Sequence, residues 1–177
     1  MAFNKKSQFN INKADFEEVV LDIARVTRVV AGGKRLSFRA TVAVGNKEKH
    51  QVGIGVEKGQ DVSQAIQKAS NKAKKNLITV PIVNETIPHE IMAKYKAAKV
   101  IIKPAPKGKG IIAGGAVRTV LKLAGVSNAI AKILGNTNSA INNARATVLA
   151  LSILKAPSLK NDSKKNNHAN SSTEKTS

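Results

Sequence analysis

Residues 100–126, VIIKPAPKGKGIIAGGAVRTVLKLAGV, restrict the possible folds more than any other part of the chain. The apolar run Val100-Ile101-Ile102 leads into Pro104 and Pro106, which cannot donate to a ladder and therefore end a strand. A basic glycine loop follows, Lys107-Gly108-Lys109-Gly110. Beyond it Ile112, Ala116, Val120 and Ala124 recur at helical spacing, with Val117 and Leu121 beside them. The pattern predicts a strand, a loop and a helix in succession. Loop amides, the positive end of the helix dipole and two lysines would then point the same way, and such a corner attracts phosphate.

Small nucleotides fit this stretch badly. No segment has the G-x-x-x-x-G-K-[ST] of a Walker loop. Gly108, Gly110 and Gly114 are one residue off the dinucleotide fingerprint, and no carboxylate follows them to hold a ribose. Between Glu90 and Asp162 there is no acidic side chain at all, so a magnesium ligand for phosphoryl transfer is also missing. A glycine cluster alone is also compatible with tight backbone packing. The charge balance favours polymeric phosphate: 30 Lys and Arg face 11 Asp and Glu, a net +19 over 177 residues. A field that one-sided suits a polyanion, because each neutralised phosphate releases condensed counterions.

Other classes are excluded by composition. Cysteine is absent, so there is no disulfide framework and no thiolate chemistry. His50, His89 and His168 are far apart and form no ligand-spaced pair, so neither a metal nor a cofactor is expected. His89 has no carboxylate or nucleophile placed to work with it, and no catalytic residue is expected. No apolar run reaches the ~20 residues of a membrane span, and the start MAFNKKSQFNINK has no apolar signal core. A cytoplasmic location without a membrane partner is expected. Tryptophan is absent and aromatics are 3% of the chain, which argues against holding single strands by base stacking and for contacts with backbone and shape.

Along the chain, Asp15 to Glu18 reads as a short helical turn and Val19 to Val30 as a strand. Ala31-Gly32-Gly33-Lys34 is a turn. Leu36 to Val44 is a second strand with Phe38, Ala40 and Val42 on one side and Arg39 and Thr41 on the other. After a turn at Gly45-Asn46-Lys47, Gln51 to Val56 is a third strand, whose Gly53 and Gly55 share a face as if another backbone approached closely. Asp61 caps a helix to about Leu77, its apolar face Val62, Ala65, Ile66, Ala69 and Ala73. The opposite face carries Lys68, Lys72 and Lys75 with no acidic residues interleaved. Ile87 to Tyr95 and Lys99 to Lys103 are further strands; Ser127 to Leu134 reads as strand or helix. Asn138 or Ser139 caps a last helix with Ile141, Ala144, Val148 and Leu151 inward, ended by Pro157.

Several stretches together resemble the universal small-subunit ribosomal protein five family. They are Phe16–Phe38, Val52–Leu77, Ile87–Ile91, the opening stretch with its GIIAGGAVR, and Arg145–Thr147. The resemblance covers roughly residues 15 to 155. It implies an α+β fold: a double-stranded-RNA-binding-like domain of three antiparallel strands and a helix, then an α+β domain of four strands and two helices. The strand–helix–strand crossover of the second would be left-handed, and Ala129 to Leu134 would be a strand. The expected division is a disordered arm (1–14), the first domain (15–80), the second (85–156) and a disordered tail (157–177). Ala31 stands where a lysine usually precedes the paired glycines, and Lys109 where threonine is common.

The resemblance implies a structural, non-catalytic constituent of the small ribosomal subunit. Such a protein binds small-subunit ribosomal RNA where head and body meet, touches small-subunit proteins four and eight, and affects decoding accuracy. It also lies near messenger RNA at the channel by which the messenger enters, and the loop matching Thr27 to Arg35 lies near the spectinomycin site. A-form RNA is read by shape, phosphate and 2′-hydroxyl, so cations on rigid turns suffice. The residues expected to contact RNA are Thr27, Arg28, Gly32, Gly33, Lys34, Arg35 and Arg39 on the first hairpin, and Lys47 and Lys49 in the following turn. Lys68, Lys72 and Lys75 would add the helix, and Lys103, Lys107, Lys109, Arg118 and Arg145 the second domain. The alternative is a free-standing regulator that binds double-stranded RNA.

Overall fold

The β-branched run that begins the first half pairs with the strand that follows it. In the computed structural model, which describes residues 16–155, β1 (Glu17–Val30) lies antiparallel to β2 (Gly33–Asn46), and Gly33 turns the hairpin at φ 137°. The helical turn expected at Asp15–Glu18 is not formed beyond Phe16. Glu17 and Glu18 are paired with Gly45 and Val44, because the ladder runs to the far end of β2. The turn expected at Gly45–Lys47 is displaced for the same reason: Gly45 and Asn46 pair with Val52 and Gln51 of β3 (Gln51–Gly59), and the chain turns over residues 47–50. A two-residue β4 (Ile78–Thr79) joins the other edge of β3, giving a four-stranded antiparallel sheet where three strands were expected. The arm and tail expected at the two ends, and Pro157, lie outside the described residues.

Helix α1 (Val62–Lys75) crosses one face of this sheet. Ala65, Ala69 and Ala73 are buried against Ala40, Val42 and Val44 of β2. The close approach read from the glycines is real: a Cβ at Gly55 would stand 1.9 Å from the Ala69 carbonyl oxygen, and one at Gly53 2.5 Å from that of Ala73. Asp61 occupies the N-cap, but its side chain makes no cap hydrogen bond; its backbone carbonyl accepts from Ala65 N at 3.0 Å.

The second sheet has the order β5-β6-β8-β7. β5 (Ile91–Tyr95), β6 (Ala98–Pro104) and β8 (Ala129–Ile133) are antiparallel neighbours. β7 (Ile111–Ile112) runs parallel to β8, and α2 (Gly115–Leu123) connects them. The strand expected from Ile87 begins only at Ile91. Pro88 cannot donate to a ladder, and Asn84 and Glu85 at φ 51° and 66° make a separate turn closed by the Val83–Thr86 bridge. Ile112, read as the first residue of the helix face, belongs to β7 instead. The open reading of Ser127–Leu134 is decided in favour of strand, as the family resemblance implied. Ser139 caps α3 (Ala140–Ile153), its hydroxyl accepting from Asn142 N at 3.4 Å.

Helices α2 and α3 lie on the face of the first sheet that α1 leaves uncovered. Ala43 and Val52 therefore share one core cluster with Val117, Val120, Leu121, Ala144 and Leu151. Burying the valine and leucine side chains among these stabilises a fold by about 1.5–3 kcal/mol each. The same packing buries β2 on both faces from Ala40 to Asn46. Thr41, on the side of β2 opposite Ala40 and Val42, is 0% exposed.

Candidate nucleic-acid interface

The first hairpin outgrows its sheet. β3 pairs with β2 only as far as Gly59 opposite Phe38, so beyond that point β1 and β2 project as a two-stranded ribbon. Every residue from Thr27 to Leu36 is exposed. This single element carries Thr27, Arg28, Gly32, Gly33, Lys34 and Arg35. Arg28 sits directly opposite Arg35 in the register, a like-charge pair that destabilises a ladder unless an anion lies between. Among the described residues, none of Arg28, Lys34 and Arg35 makes a salt bridge.

Elsewhere many cations have carboxylate partners that their own segments did not reveal. Arg39 pairs with Asp22 at 3.5 Å, Lys103 with Glu90 at 3.3 Å and Lys107 with Glu85 at 3.5 Å. Lys47 pairs with Glu17 and Lys72 with Glu57. The lysine stripe of α1 thus lacks acidic residues along the helix but meets Glu57 of β3, and the neighbouring Lys74 meets Glu18 of β1 at 2.7 Å. Hydrogen bonds from Lys47 and Lys72 hold the carboxyls of Glu17 and Glu57 below their ordinary range. Exposed pairs of this kind are worth at most about 1 kcal/mol, so a phosphate can displace the carboxylate at little cost.

The remaining helix lysines, Lys68 and Lys75, are exposed and without a salt bridge among the described residues. Lys68 and Lys58 line a cleft of about 380 Å³ at the end of β3. Sequence reading missed Lys58, which sits in an ordinary strand and gains meaning only from the helix beside it.

The predicted phosphate corner is not assembled as expected. β7 separates the glycine loop from α2, and the loop's amides are partly used: Lys109 N donates to Pro106 O at 3.3 Å and Gly110 N to Asn128 Oδ1 at 3.0 Å. Asn128 is buried, and its Nδ2 donates to Glu85 Oε2 at 3.3 Å, tying the loop down. Gly108 and Gly110 take φ of 87° and 72°, which explains both glycines as backbone requirements. Lys107 and Lys109 are exposed on this braced loop.

The fold brings together two other predicted residues from different halves. Lys47 and Arg118 line a cleft of about 530 Å³ with Lys122. Arg118 and Lys122 are four apart on α2, a spacing that would have revealed Lys122 from the sequence. Lys49 is exposed in the turn after β2, its amide donating to Asn46 Oδ1 at 2.9 Å. Arg145 is half-buried: Nη1 donates to Tyr95 Oη at 2.8 Å and the guanidinium stands 5.6 Å from the ring centroid. Its side chain is occupied in joining α3 to β5.

Two family models cover most of the chain, the ribosomal protein S5 N-terminal domain over residues 16–81 and the C-terminal domain over residues 93–165. Small ribosomal subunit protein uS5c of Spinacia oleracea is 51% identical over 154 residues, 86% of this chain; this chain spans only about half of that protein, 49%. The uS5c of Guillardia theta is 50% identical over 83% of this chain and 86% of its own length. Small ribosomal subunit protein uS5 of Thermotoga maritima is 48% identical over 83% of this chain and 82% of its own. With the two sheets in the expected α+β arrangement and this identity across nearly all of them, the chain belongs to the ribosomal protein S5 family.

Proposed function

We propose that the protein is a structural, non-enzymatic constituent of the small ribosomal subunit and holds folded ribosomal RNA by cations set on rigid turns. The carrying observation is the ribbon of β1 and β2, which extends Arg28, Lys34 and Arg35 beyond the sheet without carboxylate partners among the described residues. A ribbon so charged gains stability from an anion between its arginines and reaches RNA without unfolding anything behind it. The finer placement follows the family reading: RNA at the junction of head and body, proteins four and eight alongside, the messenger channel nearby, and an influence on decoding accuracy. Lys68, Lys75 and Lys109 add cations that have no salt bridge among the described residues, and Lys47, Lys72, Lys103 and Lys107 exchange exposed carboxylates for phosphate.

The test is a triple reversal of Arg28, Lys34 and Arg35 to Glu. Binding to small-subunit RNA should weaken, and the log–log salt dependence should become shallower by about 2–3 units as up to three phosphate contacts are lost. Incorporation into sedimenting small subunits should fall in parallel. Unchanged affinity and slope would rule the ribbon out.

A further inference from the structure

Helices α2 and α3 cover one face of the second sheet, where Ala93, Val100 and Ala131 enter the shared core. Alternate residues of these strands point the other way, and among the described residues no helix lies over them. Met92, Ile101, Ile130 and Ile112 stand on that open face and belong to neither core cluster; Met92 is 52% exposed and Ile112 48%. The register joins them into one line. Met92 is opposite Ile101 and Ile130 opposite Ile112, while Ile101 and Ile130 are diagonal neighbours across β6 and β8. The line crosses four strands, about 14 Å at the ordinary strand spacing. A sheet buries an apolar face against another layer, and among the described residues this face has none.

Charge narrows what that layer is. Lys94 and Lys99 are directly opposed, and Lys132 is opposite Ile101, so three lysines gather along one side of the line. None of them makes a salt bridge among the described residues. Like charges opposed in a ladder destabilise it, and an anionic neighbour relieves them. On the other side of the line Lys103 already has Glu90 at 3.3 Å. RNA would satisfy the lysines but would lay a sugar–phosphate chain against four apolar side chains. A second copy, or either end of this chain, would bring more cations: residues 1–15 carry three lysines and one carboxylate, residues 156–177 four lysines and two carboxylates. Apolar and carboxylate side chains set side by side fit both features. A helix with apolar residues at three- and four-residue spacing presents that pattern, and about 14 Å of line matches about ten residues of helix.

We propose that the open face of the second sheet docks an acidic amphipathic helix of a neighbouring protein. Its apolar residues lie on Met92, Ile101, Ile130 and Ile112, and its carboxylates on Lys94, Lys99 and Lys132. The inference goes beyond RNA binding and rests on the subunit reading above only for where the partner is sought.

The first test uses a peptide of about fourteen residues, with leucines at helical spacing and glutamates along one flank, and a scrambled peptide of the same composition. Each is titrated into the ¹⁵N-labelled full chain. The amphipathic peptide should shift the amides of Met92, Lys99, Ile101 and Lys132 and bind about tenfold tighter than the scrambled one. Lys94→Glu with Lys132→Glu should weaken it about tenfold, two exposed ion pairs being lost. Met92→Ser with Ile112→Ser should weaken it and leave the melting temperature unchanged, since both side chains are exposed. Equal affinity of the two peptides, or shifts confined to other surfaces, would overturn the proposal. The second test puts the photo-crosslinker benzoylphenylalanine in place of Met92 in the full chain, within sedimenting small subunits. The crosslink should fall in a protein segment that carries carboxylates beside apolar residues at helical spacing. A crosslink to RNA or to a second copy of this chain, or none at all, would overturn the docking site and leave the subunit reading intact. If the wild-type chain does not enter small subunits, the subunit reading falls and the peptide titration decides the face.

Discussion

At the scale of single residues, the carboxylates are more informative than the lysines they meet. Hydrogen bonds from Lys47 and Lys72 lower the Glu17 and Glu57 carboxyls. Glu18 is raised by burial, but hydrogen bonds from Lys74 and Ser70 outweigh this and leave it lowered. A carboxyl lowered on folding stabilises the native state above its unfolded pKa, and that contribution disappears as pH falls through the folded value. The melting temperature of the free protein should therefore decline below about pH 4, and Glu57→Gln should flatten part of the decline. A melting temperature constant down to pH 3 would show that these pairs do not contribute. Under the proposed function, a phosphate that takes Lys72 would free Glu57 and remove the source of its lowered pKa.

At the scale of elements, the junction of α1 and β3 is made by absent side chains. Gly53 and Gly55 let the helix carbonyls of Ala73 and Ala69 approach to distances at which no Cβ fits. Gly55→Ala should cost about 1–3 kcal/mol or more, since the methyl meets backbone that cannot rotate away; urea denaturation measures it. Loss of stability within experimental error would mean that α1 can lift off the strand freely. The ribbon obeys a different rule. Its residues pack against little, so substitutions at Arg28, Lys34 and Arg35 should change binding and leave the melting temperature almost untouched.

At the scale of the whole molecule, the first sheet is covered on both sides, by α1 and by the pair α2 and α3. Gly45 and Gly125 permit the second contact: a Cβ at Gly45 would stand 2.5 Å from Leu123 O, and one at Gly125, at φ 82°, 2.7 Å from Lys47 O. Ala43 and Val52 thus belong to the same core as Leu121 and Leu151. Residues 16–155 should unfold in one transition. Leu121→Ala should destabilise by about 2–5 kcal/mol and lower hydrogen-exchange protection in β2 and β5 together. Survival of β1–β3 after β5 has exchanged would show two independent units instead.

What the sequence determined by itself was local: the order of most elements, the glycines that admit a close backbone, a cap at Asn138 or Ser139, and a first hairpin rich in cations. These are legible because periodicity, capping and turn chemistry act within a few residues. The tertiary structure decided which faces are covered and which charges are neutralised. Thr41 is buried because helices from the other half cover its face, and Lys72 is paired because β3 lies beside α1. Ile112 joined a strand because β8 offered it a parallel ladder, which carried the glycine loop away from the helix start it was expected to complete. The apolar line beside Lys99 exists only because four separate strands lie side by side in one sheet. Burial and ion pairing depend on neighbours in space, and a linear pattern reports only neighbours along the chain.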